Sequence, residues 1–189
     1  MITRKDTRSM ILTYGECVDR YGTDYRIKKE IQAGRLFRRE KGIYTDEKLC
    51  SDVSVIVAKY PRAIFTGESA YYYYGLTDVI PECFHLATLR TDSRIRNESV
   101  QQYFVNAELF PLGKTTMDYH GFQIPIYSRE RLLVDLIRQK SKLPYDYYKE
   151  LIRSYRRVSE ELDLFSVEEC AEKLRNRRSI MKAIELQVL

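Results

Sequence analysis

The chain has 189 residues, 44% of them hydrophobic, and a formal net charge of +5 at pH 7. This composition excludes a disordered chain, and the length suits one large domain or a small domain followed by a medium one. The sequence shows no apolar run of membrane-spanning length, no signal-peptide stretch at its start and no CxxC pair among its four cysteines. We therefore expect a cytoplasmic protein without disulfide bonds, a metal site or a cofactor.

The positive charge is concentrated near the N-terminus. Up to Thr45 the chain carries eleven Lys and Arg against six acidic residues, which accounts for the whole excess of +5. Residues 46–189 contain 21 basic and 21 acidic groups, which cancel. A local excess of this kind is typical of a surface that binds phosphate groups, so it favours a nucleic acid as the partner.

Three helices are predicted in this basic segment. The first covers residues 3–12, and the second is the short stretch Glu16–Tyr21, which Gly22 ends. The third begins at an N-cap, Thr23 or Asp24, and ends near Gly34. Its Ile27 and Ile31 lie four residues apart and are predicted to be buried.

The opposite face of the third helix is polar and basic. Its residues follow the i, i+3, i+4, i+7 spacing that places side chains on one face, and Arg26 flanks them. These residues are Tyr25, Lys28, Lys29 and Gln32. Lys can bind phosphate or the guanine edge, Gln can pair with adenine, and Tyr can contact phosphate or a thymine methyl group. The pattern therefore predicts a recognition helix.

A short hairpin with basic residues at its tip follows. Leu36 and Phe37 begin its first strand, and Gly42 turns the chain into Ile43–Thr45. Together with the three helices, this hairpin predicts a winged helix-turn-helix. The predicted phosphate contacts are Arg35, Arg38, Arg39 and Lys41 on the wing and Arg4, Lys5 or Arg8 near the N-terminus. The alternative is a small helical cap whose solvated face happens to be basic.

The rest of the chain alternates helices and strands. We place a domain boundary at residue 48, with a winged-helix domain over 1–48 and a mixed α/β domain over 49–189 that ends in a helical region. The fold class is therefore α+β. The helices predicted after residue 48 are 53–60, 129–140, 145–162 and 167–188. The predicted strands are 83–89, 101–106, 115–119 and 122–127. A tight turn at His120-Gly121 joins the last two strands. Arg131 and Asp135 are expected to pair on the surface of their helix.

A second group of basic residues lies on the C-terminal helices. Four of them form one stripe, and four more follow on the last helical region. The stripe is Lys149, Arg153, Arg156 and Arg157, and the later residues are Lys173, Arg175, Arg177 and Arg178. Because acidic residues lie close by in sequence, a solvated surface is the default interpretation. The alternative is a second face for DNA, RNA or a protein.

Two segments resemble AbiEi-type antitoxins. The run TGESAYYYYGLTDVIPECFHLAT, residues 66–88, is similar to a family segment with a Ser-Ala helix, a Gly-Leu-Thr-Asp turn and a Pro before an apolar strand. The run IYSRERLLVDLIRQ, residues 126–139, resembles the family's "ERTLvDLiR" helix. There Leu133 and Asp135 match, and Leu132 replaces the usual Thr. The N-terminal GRLFRREKGIYT is also similar, and the resemblance extends to about residue 140.

The resemblance implies the antitoxin of a bacterial type IV toxin–antitoxin system, which gives phage resistance by abortive infection. In that family the winged helix binds inverted repeats in the protein's own promoter and represses transcription. Two copies on such repeats imply self-association on DNA. The C-terminal domain counters a nucleotidyltransferase-like toxin, a function that does not require a stable complex.

Two other classes remain open. One is a winged-helix transcription regulator whose C-terminal domain senses a ligand or dimerises; a nucleotidyltransferase-like gene next to this one would favour the antitoxin. The other is an enzyme acting on nucleic acid. The sequence has no Gly-rich phosphate loop and no HEXXH, and neither His85 nor His120 lies in a catalytic motif. We therefore expect no enzyme, although a metal site could be assembled from Asp78, Glu82, Asp92, Glu98 and Glu130.

Overall fold

The computed structural model describes residues 10–174 and 176–189. The chain divides into two compact units. The first ends at Arg62 and includes His120–Phe122, and the second comprises Ala63–Tyr119 and Gln123–Leu189. The described residues form eight α-helices and two β-sheets, which confirms the α+β class.

The first unit combines three helices with a small antiparallel sheet. In chain order its elements are β1 (Ile11–Thr13), α1 (Tyr14–Tyr21), α2 (Asp24–Gln32), β2 (Phe37–Glu40), β3 (Ile43–Thr45) and α3 (Asp52–Lys59). The sheet has the order β1-β3-β2, so β3 is central. A buried cluster that includes Cys17, Ile27 and Leu36 joins α1, α2 and the segment before β2.

The predicted helix over residues 3–12 is wrong at its C-terminal end. Residues 3–9 lie outside the described residues, and Ile11–Thr13 forms strand β1, in which Leu12 pairs with Tyr44 of β3. The Thr13 hydroxyl accepts a hydrogen bond from the Glu16 backbone N–H, and the Glu16 carboxylate accepts one from the Thr13 N–H. This capping box starts α1 at Tyr14.

Helix α2 confirms the prediction of a third helix. The Thr23 side chain accepts a hydrogen bond from the Arg26 backbone N–H at 3.4 Å, so Thr23 is the N-cap. Ile27 is buried and Ile31 is half-buried, as their spacing predicts. The helix ends at Gln32, and Gly34 takes the positive φ of +69° that turns the chain towards β2.

Helix α3 shows where the first unit ends. The sequence placed residues 49–62 in the second domain, whereas the first unit extends to Arg62. Val53, Val55 and Ile56 of α3 are buried, and the helix contacts β1 and β3. Because its apolar side covers the small sheet, α3 is part of the core of the first unit.

The second unit is built on a five-stranded mixed sheet. Its elements are β4 (Ile64–Phe65), α4 (Gly67–Tyr73), β5 (Phe84–Leu89), β6 (Val100–Val105), β7 (Lys114–Tyr119), β8 (Phe122–Tyr127), α5 (Arg129–Arg138), α6 (Tyr145–Arg157), α7 (Leu164–Lys173) and α8 (Arg177–Gln187). The strand order is β6-β5-β4-β8-β7. Strand β4 is antiparallel to β5 and parallel to β8, and β5 is parallel to β6. The four strands predicted for this unit are therefore confirmed to within a residue or two at their ends.

The C-terminal helices are shorter than predicted. Helix α6 stops at Arg157 and is followed by a 3-10 turn at Ser159–Glu161. The region predicted as one helix over 167–188 is two helices, α7 and α8. Asn176 before α8 takes a left-handed φ of +70°, which a continuous helix does not allow.

Helix α5 lies at the centre of the second unit. It contacts α4, α7 and α8 and is buried continuously over residues 131–136. Helices with one solvated face show apolar residues at every third or fourth position. The apolar run from Leu132 to Val134 and at Leu136 is instead typical of a helix covered on all sides.

Gly113 is a position where a side chain has no room. Its φ is +68°, and a Cβ there would lie 2.5 Å from the Arg131 Cβ. Gly75 has a similar φ of +66°, but nothing lies within 4 Å of its Cβ position.

We expect Gly75→Ala to cost about 1–2 kcal/mol of unfolding free energy, from backbone strain alone. Gly113→Ala is expected to cost about 1–3 kcal/mol more from overpacking. Urea unfolding of both variants measures the difference, and equal losses would contradict the close packing.

Candidate nucleic-acid interface

Nine of the residues predicted to contact DNA lie within the described part of the first unit, and all nine are exposed. Five lie in α2, one in the segment after it, and three in β2 and the turn to β3. They are Tyr25, Arg26, Lys28, Lys29, Gln32, Arg35, Arg38, Arg39 and Lys41. We refer to these nine as the basic surface. Helix α2 and the β2–β3 hairpin thus present the basic surface outside the buried cluster around Ile27.

The exposed face of α2 carries an aromatic ring and three cations. Tyr25 is 69% exposed, and the Lys29 ammonium lies 5.5 Å from the centre of its ring. Among residues 10–174 and 176–189, Arg26, Lys28 and Lys29 form no ion pair with an acidic group. Their charges are therefore available to an external anion.

Three acidic residues of the first unit have partners within it. The Asp24 carboxylate accepts a hydrogen bond from the Tyr14 hydroxyl at 2.8 Å, and Glu16 belongs to the capping box of α1. Glu40 forms an ion pair with Lys59. Asp24, Glu16 and Glu40 therefore have partners other than the cations of α2.

A β-bulge explains how the hairpin presents two adjacent arginines. Arg38 pairs with Tyr44, but Glu40 pairs with Ile43, so Arg39 is an extra residue in β2. A regular strand sends successive side chains to opposite faces, whereas a bulge lets neighbours point the same way. Both Arg38 and Arg39 are exposed as a result.

The predicted charged tip over Arg38–Lys41 is shorter in the structure. Arg38 and Arg39 lie in strand β2, and only Lys41 lies in the turn, beside Gly42 with its φ of +83°. The Arg39 guanidinium donates to the Lys48 carbonyl at 3.3 Å and lies 3.6 Å from the Asp52 carboxylate. Lys41 is therefore the cation at the end of the hairpin.

Arg35, like Arg39, has a carboxylate partner. Its guanidinium donates two hydrogen bonds to the Glu30 carboxylate, at 2.7 and 2.8 Å. This contact lowers the pKa of Glu30, which stays ionised. The backbone N–H of Arg35 also donates to the Glu30 carbonyl, at 3.0 Å. Arg35 therefore fixes the turn that leaves α2 and has a carboxylate partner, so its charge is partly neutralised. The predicted contacts at Arg4, Lys5 and Arg8 lie outside the described residues.

The second predicted basic group is spread over three helices of the second unit. Lys149, Arg153, Arg156 and Arg157 are exposed on α6, opposite its buried residues. The Lys149 ammonium lies 4.3 Å from the Tyr145 ring centre, and Arg156 Nε donates to the Gln187 carbonyl at 2.5 Å.

The later members of this group lie on different helices, and one of them has an acidic partner. Lys173 ends α7, and Arg178 is exposed on α8. Arg177 pairs with Glu168 at 3.1 Å, with both side chains about half exposed. Arg175 lies outside the described residues. Among the described members of this group, the four on α6 form a continuous basic stripe on one element.

The Arg131–Asp135 pair is buried, and its predicted place on the surface is wrong. Arg131 is 3% exposed and Asp135 is 9% exposed. Arg131 Nε donates to Asp135 at 2.8 Å, and Arg138 donates to the other carboxylate oxygen at 3.1 Å. The i, i+4 spacing correctly predicts the contact, but α5 has no solvated side there. The apolar residues on every face of α5 are the sequence signal that indicates this burial.

Within the described residues, no group of three or more His, Cys, Asp or Glu side chains is arranged to hold a metal ion. None of the helices described is long and apolar enough to cross a membrane.

Comparisons with known proteins give a fold relationship. No protein-family model and no curated protein matches the sequence. Among solved structures, the chain is similar to the crystal structure of the RV2827C protein from Mycobacterium tuberculosis, with a TM-score of 0.59 and 16% sequence identity. The match covers 85% of this chain and 66% of that protein. At this identity, the likeness indicates a shared fold.

Proposed function

We propose that this chain is a cytoplasmic, DNA-binding antitoxin that represses its own promoter, and that it is not an enzyme. The observation that carries the DNA-binding part is the exposure of the basic surface on α2 and the adjacent hairpin. Arg26, Lys28 and Lys29 form no ion pair within the described residues, and such cations attract phosphate and release counterions when they bind it. Polar side chains on one helix face read base edges in the major groove.

The element order of the first unit supports a winged helix-turn-helix. Helices α1 and α2 are joined by a short turn at Gly22, and the strands form a sheet of order β1-β3-β2. In a helix-turn-helix the second helix enters the major groove and the first crosses the backbone. In this proposal α2 is the recognition helix and β2–β3 is the wing.

The antitoxin part of the proposal rests on the resemblance of residues 66–88 and 126–139 to AbiEi-type proteins. In the structure these segments build α4, β5 and α5, and α4 contacts both β5 and α5. The resembling residues therefore belong to one packed region. The proposed role of the second unit is to counter a nucleotidyltransferase-like toxin, without a stable complex being required.

The test of autoregulation is a promoter reporter in cells. We expect the intact protein to repress a reporter driven by the DNA upstream of its gene, and a variant with Lys28 and Lys29 replaced by alanine to lose repression. Co-expression with the neighbouring gene product tests antitoxicity separately. Repression without rescue from a toxic neighbour would instead favour a winged-helix regulator with a ligand-sensing or dimerising second unit.

The exposed stripe on α6 is a second candidate for phosphate contacts. If it binds DNA, changing Lys149, Arg153, Arg156 and Arg157 to Glu is expected to lower affinity for all sequences. The slope of the logarithm of the association constant against the logarithm of the salt concentration is expected to become less steep. The change is about 0.9 for each phosphate group that the stripe no longer binds. Fluorescence anisotropy over a range of salt concentrations measures the slope. An unchanged slope assigns the stripe to another partner or to a solvated surface.

A further inference from the structure

The second unit contains a cavity of about 320 Å³. Its lining comes from the start of α4, from β5 and β6, and from α5. Sites for small molecules typically have volumes of about 300–1,000 Å³ and combine an apolar lining with a few convergent polar groups. The cavity is at the lower end of this range, which suits a compact ligand.

One part of the lining is a chain of three polar side chains. His85 is 7% exposed; its Nδ1 lies 3.0 Å from the Tyr103 hydroxyl, and its Nε2 lies 3.6 Å from the Glu68 carboxylate. Burial lowers the pKa of His85, although Glu68 opposes this effect, so the imidazole is neutral at neutral pH. The Glu68 side chain is 40% exposed, and its carboxylate can accept further hydrogen bonds.

Another part of the lining is cationic. Arg90 is exposed, and within residues 10–174 and 176–189 its side chain has no hydrogen-bond or ion-pair partner. Arg138 shares Asp135 with Arg131, and its own side chain is 39% exposed. The guanidinium groups of Arg90 and Arg138 therefore retain free donors. Guanidinium groups bind phosphate and carboxylate in a bidentate manner.

Aromatic rings complete the lining. Tyr103, in strand β6, is half-buried, and it lines the cavity together with Tyr127. An aromatic face next to hydrogen-bonding groups is suited to a planar ring that carries its own donors. Anionic, aromatic and hydrogen-bond-donating features are combined in a nucleotide.

We propose that this cavity binds a nucleoside monophosphate. Arg90 and Arg138 bind the phosphate, Glu68 accepts hydrogen bonds from the base, and Tyr103 provides a stacking surface. The site lies wholly in the second unit. It is independent of the proposed DNA contacts, so its failure leaves the DNA-binding proposal unchanged.

Isothermal titration calorimetry of the full chain tests this site with AMP, GMP, CMP and UMP. Inorganic phosphate and the four nucleosides are separate arms. We expect at least one nucleotide to bind more tightly than both of its parts. Arg90→Ala and Glu68→Gln are each expected to weaken binding about tenfold or more, because each removes a charged hydrogen-bonding group. Arg94→Ala, an exposed arginine outside the cavity lining, is expected to have no effect.

Three results would overturn the proposal. The first is no binding of any nucleotide at millimolar concentration. The second is binding that Arg90→Ala and Arg94→Ala weaken equally, since general charge would then explain it. The third is phosphate binding as tightly as every nucleotide, which would leave no role for Glu68 or Tyr103. Circular dichroism of each variant confirms that the comparison is made on folded protein.

Discussion

Replacing Lys28 and Lys29 together with alanine is expected to abolish most sequence-selective DNA binding. Both side chains are exposed on α2 and have no acidic partner in the described part of the chain. Loss of a good contact to a base edge costs about 1–3 kcal/mol, so each single variant is expected to lose about one to two orders of magnitude in affinity. Fluorescence anisotropy with the DNA upstream of the gene measures the loss.

Lys48→Ala is the matched control for these variants. Lys48 is also exposed in the first unit, but it lies outside α2 and the hairpin, so the variant removes one charge without touching the proposed reading face. We expect only a small and sequence-independent effect. If the double variant bound the upstream DNA as tightly as the unaltered protein, α2 would not be the recognition helix.

Asp135→Asn is expected to destabilise the protein by about 3–5 kcal/mol, because it leaves the buried Arg131 without a counter-charge. Arg131 has a 4% exposed side chain, and Asp135 is its nearest acid, at 2.8 Å. Arg131 also donates to the carbonyls of Leu109 and Leu112, at 3.1 and 3.2 Å, so it fixes the loop before β7. Urea unfolding measures the change in the free energy of unfolding.

Two further variants test whether the stability loss expected for Asp135→Asn comes from the burial of Arg131 or from the loss of an ion pair as such. Glu168→Gln breaks the exposed pair with Arg177 and is expected to cost less than about 1 kcal/mol. Replacing Arg131 and Asp135 together by Met and Leu is expected to recover much of the loss, because no charge is then buried alone. A loss with Asp135→Asn no larger than with Glu168→Gln would contradict the buried network.

Local sequence signals predicted the elements of the basic surface well. The Thr23 cap, the spacing of Ile27 and Ile31 and the turn at Gly42 depend on neighbours within a few residues. Local signals do not predict strand β1, because its conformation is set by pairing with β3, thirty or more positions along the chain. The bulge at Arg39 likewise depends on the partner strand.

The features of the second unit were harder to predict because they join distant residues. His85 and Tyr103 meet through the parallel pairing of β5 and β6, and no local pattern indicates that register. The Arg131–Asp135 contact was visible from its spacing, but its burial depends on the helices that cover α5. A sequence pattern predicts which side chains share a helix face and leaves open what covers that face.

The most direct test of DNA recognition is fluorescence anisotropy of the purified protein with the DNA upstream of its gene. A scrambled duplex is the control, and both are measured at two salt concentrations. We expect tighter binding to the upstream DNA and a marked loss of affinity at the higher salt concentration. Equal and weak binding to the two duplexes would contradict it, because the basic surface would then be a solvated face without sequence-reading function.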